Sequence, residues 1–260
     1  MIDKAVIPAA GLGTRMLPLT KSIPKEMLPV GRKPMIQHAV EELASSGIKK
    51  ICIVISSQKE VIKEHFLSPY TCKQDEGVEE VERLVSELKL SFIYQRQPLG
   101  LGDALMTARE FVGNNAFVMA IPDQILYSRK PATLQLLEHS KFDQSAVWTS
   151  LIKPPSQEAP YFGADRGLRL GKLHGRVWRI TEITPHTSQI RGFGRTILQS
   201  GIFRFLEQCP DYVDGLGEYI KEVAYYGVLL EGIPFDFGTL EGYYRWLPKI
   251  WSLTQQNKSA

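Results

Sequence analysis

Directly after the short apolar run Lys4–Pro8, the chain reads Ala9-Ala10-Gly11-Leu12-Gly13-Thr14-Arg15. Small residues and two glycines let the backbone approach a ligand closely, and consecutive exposed N–H groups can cradle phosphate oxygens. Arg15 adds a planar cationic fork beside them. The segment has no GxxxxGK[ST], and Met16 breaks a GxGxxG, so it is neither a Walker A loop nor a dinucleotide turn. Taken alone it also fits a tight strand-to-helix turn. Further on, Pro24-Lys25-Glu26-Met27-Leu28-Pro29 holds a lysine between two prolines. A loop stiffened in this way can place a second cation on the same polyphosphate, the alternative being a solvated surface lysine. The apolar run Phe117–Pro122 ends in Asp123. In open α/β sheets ligands collect beyond the carboxyl ends of strands, so this carboxylate is placed to hold a metal.

Together, Gly11–Pro18 and Pro24–Pro29 resemble the signature of the sugar-1-phosphate nucleotidylyltransferases, nearest to the bacterial branch that joins UTP to glucose 1-phosphate. The resemblance implies that Ala9, Ala10, Gly11, Gly13 and Thr14 wrap the nucleotide, and that Arg15 and Lys25 stabilise transition-state charge. It continues at Gln95-Arg96-Gln97-Pro98-Leu99-Gly100. Relatives carry a glutamine five residues before a glycine that opens a helix, and both contact the nucleobase, which assigns that role to Gln95 and Gly100. An amide can satisfy a pyrimidine's donor and acceptor edges at once. By itself this segment reads as a hairpin-like loop with a helix N-cap. Phe235-Asp236-Phe237-Gly238 matches the family's second aspartate motif, so Asp123 and Asp236 are implied as the ligands of a Mg²⁺ cofactor, whose hard-oxygen preference they suit. Asp236 also fits a helix cap.

For the sugar, Tyr161-Phe162-Gly163 resembles the family's Tyr-Gly element, Glu182 the glutamate of its Glu-Lys-Pro, and Gly201 the glycine of its sugar wall. The lysine of Glu-Lys-Pro is missing: Ile183 stands in its place, with Thr184 as an extra residue before Pro185. Arg176, Arg179, Arg191 and Arg195 are the local cations that could replace it. Tyr-Phe-Gly also inserts an aromatic, and Leu198–Phe203 matches the sugar wall only loosely.

The reaction implied is Mg²⁺-dependent attack of a sugar 1-phosphate on the α-phosphorus of an NTP, with UTP and glucose 1-phosphate as the pair and pyrophosphate released. Bringing two anions together in line needs positioning and cations more than a side-chain nucleophile. The absent lysine motivates a second reading, a nucleotide- or sugar-binding regulator that has lost turnover. Another NTP or sugar phosphate is the alternative within the enzyme class.

These residues need a scaffold, and the chain supplies one. Its 260 residues, 43% apolar and 23% charged, suit a folded chain with a sizeable core. Short apolar runs at Lys4–Pro8, Ile51–Ile55, Ser91–Tyr94, Asn115–Ile121 and Ser145–Leu151 alternate with helical spacing. The helices are read through Met35–Leu43, Val61–Phe66, Val78–Leu88, Asp103–Val112 and Pro131–His139. That order predicts a Rossmann-like three-layer α/β/α fold with a mixed, mostly parallel sheet. A β-rich insertion for the sugar is expected over Tyr161–Ile180, followed by a strand over Ile197–Phe203, a helix over Gly217–Tyr226 and a strand over Gly227–Leu230. Leu240, Tyr243, Tyr244, Leu247, Ile250 and Trp251 mark a last helix, its stripe a core face or a contact in a homo-oligomer. We expect one nucleotidyltransferase domain over 1–253, with a nucleotide half to about 152, the sugar-binding remainder over 153–253 and a loose tail over 254–260.

A net charge of +3 gives no reason to expect nucleic acid or a membrane surface as partner. Cys52, Cys72 and Cys209 form neither a disulfide framework nor a zinc spacing. With no long apolar run, a cytoplasmic location is expected. The five histidines (His38, His65, His139, His174, His186) show no metal spacing, and Glu79, Glu80 and Glu82 read as a solvated helix face.

Overall fold

The computed structural model describes residues 2–69, 76–163, 167–186 and 188–256. Among them, nine strands form one sheet in the order Lys89–Tyr94, Lys50–Ile55, Lys4–Pro8, Phe117–Ala120, Arg191–Leu198, Val147–Ile152, Tyr225–Leu229, Val177–Thr184, Gly167–His174. The first four are parallel. Arg191–Leu198 runs against both its neighbours. Val147–Ile152 and Tyr225–Leu229 are again parallel, and the final hairpin is antiparallel. The mixed, mostly parallel α/β fold expected from the sequence is therefore the fold observed.

The apolar runs are continuous because both sheet faces are covered. Ala5 and Ile7 enter one core and Val6 the other; Ile51, Ile53 and Ile55 oppose Cys52 and Val54 in the same way, as the two-residue period of a strand requires. Helices Met35–Ser45, Glu60–Leu67, Glu76–Glu87 and Ala132–Ser140 close the first core through Ile36, Leu43, Ile62, Leu84 and Leu136. Leu101–Thr107, Ile202–Gln208 and Tyr212–Tyr219 close the second through Leu105, Phe203, Leu206 and Leu216. Gly47, at φ +91°, ends the first helix as the sequence suggests, in a conformation that a side chain would strain.

A third core sits under the carboxyl ends of the central strands. It joins Met16, Leu28, Phe162, Phe193, Phe235, Phe237, Trp246 and Ile250. Part of its floor is a two-stranded antiparallel ribbon, Gln124–Tyr127 against Ile233–Asp236, in which Asp236 pairs with Gln124. This register sets Asp236 beside Asp123.

Several boundaries differ from expectation. The strand expected over Ile197–Phe203 ends at Leu198, and Ile202 and Phe203 open a helix whose apolar face meets the second core. The helix expected over Gly217–Tyr226 is Tyr212–Tyr219, begun by Asp211, whose side chain accepts from the Val213 and Asp214 N–H groups; Tyr225 already belongs to a strand. The Asp103–Val112 pattern splits at Ala108 into two short helices. The β-rich segment is a hairpin added to the edge of the main sheet through Val177–Arg179. The last helix runs Leu240–Gln256, so the tail expected from 254 is helical for three residues; 257–260 lie outside the described residues. Tyr243 and Ile250 are buried as the stripe predicts, Tyr244 and Trp251 are exposed, and Trp246, outside that stripe, is buried. Cys52 and Cys209 are free thiols, Cys72 lies outside the described residues, and no described helix is long and apolar enough to cross a membrane.

Candidate active site

Strands Lys4–Pro8, Lys50–Ile55, Lys89–Tyr94 and Phe117–Ala120 point the same way, so the segments that follow them gather at one edge of the sheet. There a cleft of about 430 Å³ is lined by Ala10, Gly11, Thr14, Arg15, Lys25, Gln95, Gly100, Asp123, Gly163 and Asp236. All ten are residues the sequence proposed. Pro8, Leu12, Pro98, Leu101, Ala104, Ile121, Pro122 and Gln124 complete the wall.

At the charged part of the cleft, Lys25 Nζ lies 2.5 Å from Asp123 Oδ2, with the aspartate side chain 4% exposed. Asp236 accepts three hydrogen bonds: Gly238 N–H to Oδ1 at 2.9 Å, Gly163 N–H to Oδ2 at 3.1 Å, and Gln124 Nε2 to Oδ2 at 2.7 Å. Helix capping falls instead to Thr239, whose hydroxyl accepts from the Gly242 N–H at 3.1 Å. A carbon added at Gly238 would sit 3.0 Å from Asp236 Oδ1, 3.1 Å from Asp123 Oδ2 and 3.4 Å from Arg15 Nη2. The missing side chain at Gly238 therefore opens the space onto which both carboxylates and the guanidinium converge. Gly163 is likewise close to Arg15 Nη1.

Burial alone would raise the Asp123 carboxyl, but the Lys25 ammonium and the Arg15 charge outweigh it and hold the group below its ordinary range. Lys25 is held up: Asp123 and Glu26 more than offset its burial. Among the described residues no cation forms an ion pair with Asp236. Burial, then the charge of Asp123, push it up to about 6 despite its three donors. Two buried carboxylates, one of them without an ion-pair partner among the described residues, are the residues here that could hold a hard divalent cation.

Behind the cleft is a pair that the sequence reading leaves unassigned. Lys59 Nζ donates to Glu26 Oε2 at 2.7 Å and to the Ala9 carbonyl at 2.8 Å. One ammonium thus ties the start of the glycine-rich turn to the residue next to Lys25. Burial raises Glu26 and lowers Lys59, so the pair holds geometry at an energetic cost. The available signal is Lys59's position just past the Lys50–Ile55 strand, on the same sheet edge.

Four proposed residues lie off the cleft wall. Ala9 is buried beneath it, its N–H donating to the Val54 carbonyl, and Gly13 holds the turn at φ +68°. Gly201 precedes the Ile202–Gln208 helix, against Tyr219. Glu182 is an exposed strand residue paired with Arg169 Nε at 3.0 Å. The four arginines suggested in place of the missing lysine are occupied elsewhere. Arg176 pairs with Glu231, Arg179 lies over the Tyr226 ring, Arg191 donates to the Ala159 and Phe162 carbonyls, and Arg195 meets Glu42.

The nucleotidyl transferase family model matches residues 4–230. The chain belongs to the nucleotidyl transferase family. Within it, this nucleotidyl transferase is 33% identical to the UTP–glucose-1-phosphate uridylyltransferase of Mycoplasma pneumoniae, over 93% of this chain and 90% of that one. It is 37% identical to UTP–glucose-1-phosphate uridylyltransferase 1 of Streptococcus pyogenes serotype M3, over 85% and 76%. Its fold is similar to that of a UDP-glucose pyrophosphorylase solved with UDP-glucose, at a TM-score of 0.87 and 27% identity, covering 97% of this chain and 99% of that one. It is also similar to a UTP-bound enzyme of the same kind from Acinetobacter baumannii, at a TM-score of 0.82 and 26% identity with 98% of each chain covered.

Proposed function

We propose that this nucleotidyl transferase joins the nucleoside monophosphate of UTP to glucose 1-phosphate and releases pyrophosphate. The observation that carries the reading is the convergence of Arg15, Lys25, Asp123 and Asp236 on one cleft whose wall also holds the glycine-rich turn. Ala10, Gly11 and Thr14 would bind the triphosphate through a close backbone, Arg15 would offset charge on the α-phosphate, and Lys25 would turn from Asp123 to the phosphates as substrate arrives. Gln95 and Gly100 would contact the base and Gly163 the sugar. Glu182 and Gly201 remain candidates for the outer sugar contacts.

Asp123 and Asp236 fit Mg²⁺ by donor chemistry and by the open space at Gly238. When bound, the ion would supply charge neutralisation for the phosphates. The residues' own part is to hold UTP in line with the incoming phosphate oxygen and to exclude misplaced water. For the acceptor phosphate, Arg15 and Lys25 are the cations present on the wall among the described residues. The exposed Tyr244 and Trp251 support a contact with a second copy, the small net charge supports a protein free of nucleic-acid and membrane partners, and the free thiols of Cys52 and Cys209 support a reducing compartment such as the cytoplasm.

The test is incubation with UTP, glucose 1-phosphate and Mg²⁺, read as pyrophosphate release and UDP-glucose formation. Release with another nucleotide or sugar phosphate alone would redirect the substrate assignment. Nucleotide binding without release for every pair would favour the regulator.

A further inference from the structure

The Gln95 side chain is 4% exposed yet lines the cleft. Both of its N–H donors are committed. Nε2 donates to the Gly100 carbonyl at 3.1 Å and to Asp103 Oδ2 at 2.7 Å. The Gly100 carbonyl is itself fixed by the Ala104 N–H at 3.2 Å. Turning the amide over would set Oε1 against a carbonyl and a carboxylate, two acceptors that offer it no proton. Among the described residues no donor reaches Oε1. The amide therefore does not offer both edges to a ligand, as the sequence alone suggests; it presents an acceptor, and Asp103 fixes that choice.

The surroundings fit a planar ring. Pro98, Leu101 and Ala104 supply apolar wall, and Gly100, at φ +102°, leaves open space where a side chain would stand. A ring seated there with its polar edge toward Oε1 must bring a proton. An imide N–H, as in uracil or thymine, provides one, whereas the corresponding ring nitrogen of cytosine is an acceptor and would face oxygen lone pairs. We propose that Asp103 is a base-specificity residue, which acts through Gln95 to select pyrimidines carrying an imide N–H over cytosine. The inference rests on the reading of this cleft as a nucleoside triphosphate site.

Asp103→Asn tests it with little change of shape. An asparagine can accept from the Gln95 amide or donate to it, so the flipped orientation of Gln95 would oppose one acceptor, the Gly100 carbonyl, in place of two. The primary readout is equilibrium binding of UTP and of CTP by calorimetry with Mg²⁺ and no acceptor; the second is kcat/KM for each nucleotide with glucose 1-phosphate. The wild type should prefer UTP by roughly ten- to a hundredfold, the size of the penalty for setting two buried acceptors against each other in place of one hydrogen bond. Asp103→Asn should reduce that ratio about tenfold while UTP turnover at saturation changes less than about threefold. Asp103→Ala serves as a second variant should the first not fold, and should also reduce the ratio.

A wild type indifferent to UTP and CTP, or Asp103 variants that weaken both nucleotides equally and keep the ratio, would overturn the proposal. Gln95→Leu separates the two layers. If it abolishes the preference while the Asp103 variants retain it, the base site stands and the role of Asp103 fails. If it leaves the preference and UTP affinity untouched, the placement of the base fails, and the proposal with it. Should the wild type bind UTP over CTP but transfer nothing, the binding ratio still decides the role of Asp103 while the catalytic reading falls.

Discussion

Replacing Asp236 by asparagine should make the metal-free protein more stable and the enzyme far less active. In the absence of a cation, this carboxyl is held at about 6 against an ordinary 3.8. Where it is ionised in both folded and unfolded chains, that displacement corresponds to roughly 3 kcal/mol of native-state destabilisation. The folded value lies above the unfolded one, so the native state is free of this cost below about pH 4, and the stability held there is lost as pH rises through about 6. Asparagine keeps the shape and removes the charge. Its oxygen can still accept from the Gly238 N–H, but its NH₂ would face the Gly163 N–H and Gln124 donors that Oδ2 now serves. Losing that acceptor costs about 1–2 kcal/mol, which leaves a net gain of about 1–2 kcal/mol at pH 7.5. The assay is chemical and thermal unfolding in EDTA from pH 4.5 to 8, with a melting temperature raised by a few degrees at pH 7.5 and a flatter pH dependence than the wild type. The same variant should lose about 10²-fold or more in nucleotide transfer with Mg²⁺. A variant less stable than wild type in EDTA at pH 7.5, or one with the wild-type pH slope, would show that Asp236 is not an unpaired charge waiting for a cation.

The other perturbations are more direct. Lys25→Ala, assayed with excess Mg²⁺ so that the ion meets the Asp123 charge, should lower kcat/KM by roughly 10²–10³-fold with only a small shift of the urea midpoint; equal losses of both would count against a role in catalysis. Asp123→Asn should likewise depress turnover more than folding, checked by the same pair of measurements. Lys59→Met strands the buried Glu26 and should cost about 3–5 kcal/mol in unfolding free energy, with the Lys59→Met/Glu26→Leu double variant recovering stability in a double-mutant cycle. Gly238→Ala places a methyl against both carboxylates and should weaken Mg²⁺ binding, measured by calorimetry, while leaving the fold unchanged by circular dichroism.

The first half of the fold is legible because its central strands are buried on both faces and its helices carry strong apolar stripes; Ile51–Ile55 and Met35–Leu43 leave few alternatives. Past residue 190 the short apolar runs are ambiguous. Ile202 and Phe203 have strand-like side chains, yet they pack as the inner face of a helix, a choice made by the second core rather than by local preference. The site is legible where glycine, proline and charge fall together, as at Gly11–Arg15 and Pro24–Pro29. Lys59 acts through partners distant in the chain, Gln124 through the register of a ribbon and Asp103 through a side chain across a loop, and their residue types alone carry no such signal. Glu182 and the neighbouring arginines show the converse: charge near a motif does not imply a place on the wall.

The ribbon that unites Gln124 with Asp236 also fixes when the protein can become competent. Asp123 is synthesised more than a hundred residues before Asp236, and the donors that hold the second come from Gln124, Gly163 and Gly238. A nascent chain can therefore complete the parallel strands of its first half and still lack one of the two carboxylates of the proposed ion site.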